Sequence, residues 1–215
     1  HERLSYYANW VKSLRRFYRD FLGLWWLVSS FKLPQGDYRP RKIPSDDAIK
    51  RFYDALQTST QRGIFLFLAT TGLRRNEALS LRRDDIDLRS RMVIPIGRDS
   101  STKRTWVTFF NEECAHVLEQ ILQSCDNERV FQINERNLRK AFDQASQKTG
   151  VHIPPQLLRD WFCNKMGDLG VADRWIDAFC GRTPKSVLAK HYSDYSPDRL
   201  KRIYDQAGLK VLTAR

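Results

Sequence analysis

Arg74 has the most pointed chemical setting in the sequence. It lies in residues 70–88, TTGLRRNEALSLRRDDIDL, two places after Gly72 and just ahead of a short predicted helix. A glycine there reads as a left-handed helix end, so Arg74 falls in a turn held by backbone on both sides. Glu77, three residues on, is spaced to orient it. An arginine fixed in this way presents a planar fork of donors that keeps its proton, suited to gripping two oxygens of one anion. A second arginine, Arg159, flanks the apolar face of a predicted helix that carries Leu157, Leu158, Trp161, Phe162 and Met166, with Gln156 one turn before it. A third, Arg182, follows Gly181 in GRTPKSVLAKHYSDYSP, a segment that also holds Tyr192 and Tyr195. Arg98 and Lys103 lie in a predicted hairpin connection, GRDSSTK. Other reactive types form no pattern. Cys114, Cys125, Cys163 and Cys180 lack CxxC spacing, and His1, His116, His152 and His191 are scattered, so reduced, mostly buried thiols and no protein-built metal site are expected. A Cys163–Cys180 disulfide stays open for a hyperthermophilic source.

In chain order these residues resemble the tyrosine recombinase (integrase) family. The family's first arginine box, T-G-x-R-x-x-E followed by D-(I/L)-D, is met by Thr71, Gly72, Arg74, Glu77, Leu79, Asp85, Ile86 and Asp87. The family then expects a hairpin lysine, an H/K-x-x-R box, a Gly-His or Gly-Trp, and a tyrosine about ten residues later. Lys103, Gln156-x-x-Arg159, Gly181-Arg182 and Tyr192 stand at those places, from about residue 40 to the C-terminus. Residues 181–197 look most like archaeal integrases of the fusellovirus and related plasmid type. Three positions depart from the pattern: Gln156 for His or Lys, Asp160 for a second His, and Arg182 for His or Trp. Glutamine donates a hydrogen bond but shuttles no proton, which leaves open what deprotonates Tyr192; His191 is a neighbour.

The resemblance implies a catalytic site of Arg74, Lys103, Gln156, Arg159, Arg182 and Tyr192, with Glu77 in support. Arg74, Arg159 and Arg182 would hold charge growing on a scissile phosphate. Tyr192 would be the nucleophile, in preference to Tyr195, and Lys103, with Arg98 as its rival, would protonate the leaving 5′-oxygen. The implied enzyme is a metal-independent, cofactor-free site-specific recombinase working through a 3′-phosphotyrosine intermediate on double-stranded DNA. It would act as a homotetramer on two attachment sites, as a monomer without DNA, in the cytoplasm and nucleoid of an archaeal host, away from membranes. A type IB topoisomerase-like enzyme and a DNA-binding accessory protein that lost catalysis are the alternatives.

The rest of the chain must position these groups. Its 215 residues carry 37 Lys and Arg against 25 Asp and Glu, a net charge of +12 that favours a polyanionic partner. With 41% hydrophobic and 12% aromatic residues it can bury a core, which excludes a disordered chain. The apolar run at 21–28 is too short to span a bilayer, and no signal peptide is visible. The chain opens on His1 rather than Met and reads as a fragment. The pattern reads as a mostly helical domain with one small antiparallel sheet, and the resemblance implies the fold class α+β, mainly α: a tyrosine recombinase catalytic domain with a small three-stranded antiparallel sheet. Residues 45–215 would form that domain, 34–44 a proline-rich linker, and 1–33 the C-terminal end of a core-binding, DNA-clamping domain. Residues 4–31 read as helix-like with an aromatic stripe, which fits either that clamp or a helix packed on the main domain. Helices are expected from about 61–71, 75–81, 111–123, 134–147, 155–169, 173–179, 184–192 and 197–206, and strands near 92–96 and 105–110.

Overall fold

A computed structural model describes residues 2–33, 42–95, 107–124, 127–182 and 193–212. Backbone contacts divide the chain into two units, His1–Lys42 and Ile43–Arg215. The first begins with helix α1, Glu2–Arg15, which widens into a π-helical turn at Arg16–Phe21 and is followed by a 3-10 turn at Trp25–Leu27. The helix-like reading of 4–31 is therefore corrected. Gly23 adopts φ +71°, which no continuing right-handed helix allows. Its aromatic stripe is also not a buried one, since Tyr7, Trp10, Phe17 and Phe21 are each at least half exposed.

The second unit is built around one buried helix and the helices packed on it. Helix α2, Asp46–Ala55, starts at Ser45, whose hydroxyl accepts from the Ala48 N–H, and Asp46 and Asp47 complement the positive end of its dipole. Helix α3, Ser59–Thr71, starts in a capping box of Thr58 and Gln61 and is buried on every side from Gly63 to Thr71, as its unbroken GIFLFLATT sequence demands. A side chain at Gly63 would place its Cβ 2.3 Å from Ile121 Cδ1, so the glycine sets how closely α3 and α5, Glu112–Ser124, approach. Phe65 of α3 stacks on Phe52 of α2, and both rings meet Phe142 of α6, Glu135–Thr149.

Short elements carry the chain around α3. Helix α4, Arg75–Leu79, follows at once, then an antiparallel sheet of β1, Ile86–Asp87, β2, Met92–Val93, and β3, Thr108–Phe109, in that order. Ile86 pairs with Val93, and Val93 with Thr108. The strands have two residues each, shorter than the apolar runs suggest. Asp87 closes the β1–β2 turn by accepting from the N–H groups of Arg89 and Ser90. Helices α7, Pro155–Asp168, α8, Asp173–Phe179, and α9, Pro197–Ala207, complete the unit. Pro155 and Pro197 occupy first-turn positions, where a missing N–H costs nothing. The predicted helix at 184–192 lies outside the described residues. The apolar face of α9 is used within the chain: Leu200 and Tyr204 are buried in its own core. After Gly208, the Glu113 carboxylate accepts from the N–H groups of Val211 and Leu212.

Candidate active site

The carbonyl groups at the end of a helix have no partner within it. At the end of α3 three in succession are taken by side chains from three other elements. Tyr204 Oη of α9 donates to Thr70 O at 2.8 Å, and Thr108 Oγ1 of β3 donates to Thr71 O at 2.7 Å. Arg159 Nη1 of α7 donates to Gly72 O at 2.5 Å. Gly72 itself sits at φ +66°, and a Cβ there would lie 2.6 and 2.7 Å from the Phe162 ring and 2.9 Å from Cys180 Sγ. Both its backbone angle and its surroundings therefore require glycine. The turn that carries Arg74 is thus fixed from below before Arg74 makes any contact.

Arg74 stands at the N-cap of α4 in an extended conformation. Its N–H donates to Glu77 Oε2 at 2.7 Å, and its guanidinium Nη1 donates to Oε1 at 2.8 Å. One carboxylate thus orients both backbone and side chain of this half-buried arginine.

Arg159 is buried, with 3% of its surface exposed. Besides Gly72 O, it reaches Cys180 O through Nη2 at 2.7 Å. Gly72 caps the C-terminus of α3 and Cys180 that of α8, so one guanidinium receives the negative ends of two helices. Arg74 follows the first anchor by two residues and Arg182 follows the second by two. Burial, foremost, lowers the Arg159 pKa; Cys180 opposes this, while the positive charges of Arg74 and Arg182 lower it further. The three arginines therefore share one electrostatic neighbourhood.

Arg182 donates to Asp177 Oδ1 at 3.2 Å and to Cys163 Sγ at 3.6 Å. Burial works against its charge, but Cys163, Cys180 and Asp177 outweigh it and raise its pKa. Cys163 Sγ lies 3.5 Å from Cys180 Sγ, and both cysteines are free thiols. Hydrogen bonding from Cys180 lowers the Cys163 pKa to about 7 against the cost of burial, helped by Arg182 and Arg159. Cys180 is correspondingly held protonated, because it donates to Cys163 and is buried.

The structure thus gathers Arg74, Glu77, Arg159 and Arg182. Gln156 is exposed, one turn before Arg159. Lys103, its rival Arg98, Tyr192 and His191 lie outside the described residues. Tyr195 packs edge-on against Trp175, with ring centroids 5.4 Å apart. Sequence reasoning missed Asp177 and the paired cysteines as neighbours of the arginines. The partners of Arg159, two main-chain carbonyls, also carried no sign in the sequence. The proline before α7 and the glycine after Cys180 mark the elements but give no sign of these contacts.

A helical unit with a three-stranded antiparallel sheet and three arginines gathered around the ends of α3 and α8 has the architecture of the tyrosine recombinase catalytic domain. Solved structures of similar fold include XerA recombinase, with TM-score 0.56 and 21% identity over 93% of this chain and 82% of that one. The Tn1549 transposon integrase in complex with circular intermediate DNA gives TM-score 0.62 and 13% identity over 95% and 86%. Among curated proteins, the chain is 25% identical over 213 residues to tyrosine recombinase XerA of Thermococcus kodakarensis, covering 93% of this chain and 74% of the relative. It is also 25% identical over 156 residues to the XerA of Saccharolobus solfataricus, covering 71% and 51%. Residues 44–199 match the phage integrase family. The chain belongs to that family, and is by descent a tyrosine recombinase.

Proposed function

We propose that the chain cuts and rejoins double-stranded DNA at specific sites through a covalent tyrosine intermediate. The observation that carries this reading is the bridging of two loops by Arg159, which brings Arg74 and Arg182 into one neighbourhood. Three guanidinium groups so placed can hold the non-bridging oxygens of one phosphate as charge grows on them. Tyr192 Oη attacks the scissile phosphorus, the bond to the 5′-oxygen breaks, and a 3′-phosphotyrosine forms. Lys103 gives its proton to the leaving oxygen. The freed 5′-hydroxyl of a partner strand then attacks the phosphotyrosine and restores both diester and phenol. The phosphodiester bond energy is retained in the covalent intermediate, so nucleotide hydrolysis has no place in the cycle.

DNA as partner is supported by the net charge and by the solved Tn1549 integrase, which is in complex with DNA. Residues 45–215 would act as the catalytic domain, 1–33 as the end of a DNA clamp, and four copies as the working assembly. An integrating element of archaeal type is the origin that residues 181–197 favour.

The test is a denaturation-resistant protein–DNA adduct formed with a pool of end-labelled, nicked duplexes of randomised sequence. Wild-type protein forms the adduct, and Tyr192→Phe binds the pool without forming it. An adduct persisting in Tyr192→Phe would overturn the nucleophile. No adduct from wild type, with binding intact, would favour the accessory-protein reading.

A further inference from the structure

The two thiols beside the arginine cluster are not used by the proposed reaction, yet they touch both of its anchors. Cys180 supplies, through its carbonyl, one of the two bonds that hold Arg159. Cys163, on α7 one turn beyond Arg159, accepts from Arg182. Their sulfurs are 3.5 Å apart although the residues are 17 apart in sequence, one on α7 and the other capping the end of α8. Cys163 is half-buried and Cys180 buried, so a small reagent reaches Cys163 first and Cys180 is placed to resolve what forms there.

We propose that Cys163 and Cys180 form a reversible disulfide that switches off the arginine site. This rests on the recombinase reading for its consequence, but not for its chemistry. A peroxide is the oxidant. The Cys163 thiolate attacks one peroxide oxygen, the O–O bond breaks, and sulfenic acid and hydroxide result. The Cys180 thiol then attacks the sulfenic sulfur, forming the S–S bond and releasing water as its proton joins the departing oxygen. Two electrons pass from the sulfurs to the peroxide, and a dithiol returns them on reduction.

Closing the pair brings the sulfurs from 3.5 Å to about 2.0 Å, a movement of about 1.5 Å shared between α7 and the end of α8. Cys180 Sγ also lies against Gly72, where an added Cβ would meet it at 2.9 Å, so the displacement reaches the Arg74 turn as well. Arg182 loses a thiolate partner at the same time. The low pKa of Cys163, about 7, provides the reactive thiolate at neutral pH.

The experiment treats the whole chain with hydrogen peroxide, maps disulfides by peptide mass without reduction, and then adds dithiothreitol. It measures adduct yield and binding affinity with the randomised duplex pool at each stage. A Cys163–Cys180 peptide pair is expected, with adduct formation lowered about a hundredfold, as a misplacement on the order of 1 Å can produce, and recovered on reduction. Cys163→Ser should give the same yield before and after peroxide, the comparison being made within that variant. Absence of the peptide pair overturns the proposal, as does a mapped pair that changes neither adduct yield nor DNA binding. If reduced protein forms no adduct while the disulfide maps and weakens DNA binding, the recombinase reading fails and the redox site stands.

Discussion

Gly72→Ala places one methyl group where the structure has no room and one residue where the backbone has no freedom. At φ +66°, an alanine costs about 1–2 kcal/mol relative to its preferred region. The new Cβ would also meet Phe162 at 2.6 and 2.7 Å and Cys180 Sγ at 2.9 Å. Phe162 is fully buried, so its ring has nowhere to retreat, and overpacking of this kind costs about 1–3 kcal/mol more. The expected total is about 2–5 kcal/mol. Gly150→Ala provides the control: it has φ +69° at the end of α6 and nothing within 4 Å of a built Cβ, so only the backbone penalty applies.

Urea unfolding, followed by fluorescence of buried Trp161 and Trp175 and by circular dichroism, measures both variants. An unchanged slope licenses the comparison of midpoints. Because Gly72 O is an anchor of Arg159, Gly72→Ala should also lose adduct formation at urea-free conditions where it remains folded. Equal destabilisation by the two substitutions would refute the steric argument. Full adduct yield from folded Gly72→Ala would refute the claim that this carbonyl positions the site.

Three further outcomes are expected. Glu77→Gln keeps an acceptor for the Arg74 N–H but removes the charge that orients the guanidinium, so adduct yield should fall about tenfold, corresponding to ~1.4 kcal/mol, with little change in urea midpoint. Tyr204→Phe removes the donor to Thr70 O inside the core and should cost about 1–2 kcal/mol in the same unfolding assay. Alkylation of Cys163 by iodoacetamide should quicken as pH rises, because only the thiolate reacts, with its midpoint near 7; Cys180→Ala should move that midpoint upward by deleting the leading cause of the shift.

What the sequence made legible was what neighbouring residues decide. Gly72 as a left-handed stop and Glu77 as the partner of Arg74 are contacts within one turn, and α3 announces its burial by composition. The anchors of Arg159 join residues 87 and 21 apart, and no local spacing encodes them. The cysteine pair was visible as a possible disulfide, but its place beside the arginines was not. In the first unit, i, i+3/i+4 spacing of aromatics predicted a continuous stripe, but such spacing says where side chains point and not whether anything covers them. The two-residue strands were overestimated because the apolar runs extend past them: Val107 and Phe110 are buried in the core, and the N–H groups of Ile94 and Phe110 each make a single bond to the neighbouring segment beyond the strand ends.

The partners of the three arginines suggest why the most buried one is not paired with a carboxylate. Arg74 is paired with Glu77 and Arg182 with Asp177, each close to neutral as a pair. Arg159, among the described residues, is held by carbonyl dipoles at two helix ends, which stabilise its charge without cancelling it. In the proposed reaction, a carboxylate in their place would compete with the phosphate for the same fork and would have to be displaced or desolvated with it. The uncompensated positive charge of the cluster therefore rests on Arg159, where burial strengthens its attraction for an anion. A thiolate at Cys163 offsets part of that charge, so its oxidation changes the electrostatics and the geometry of the site in one step.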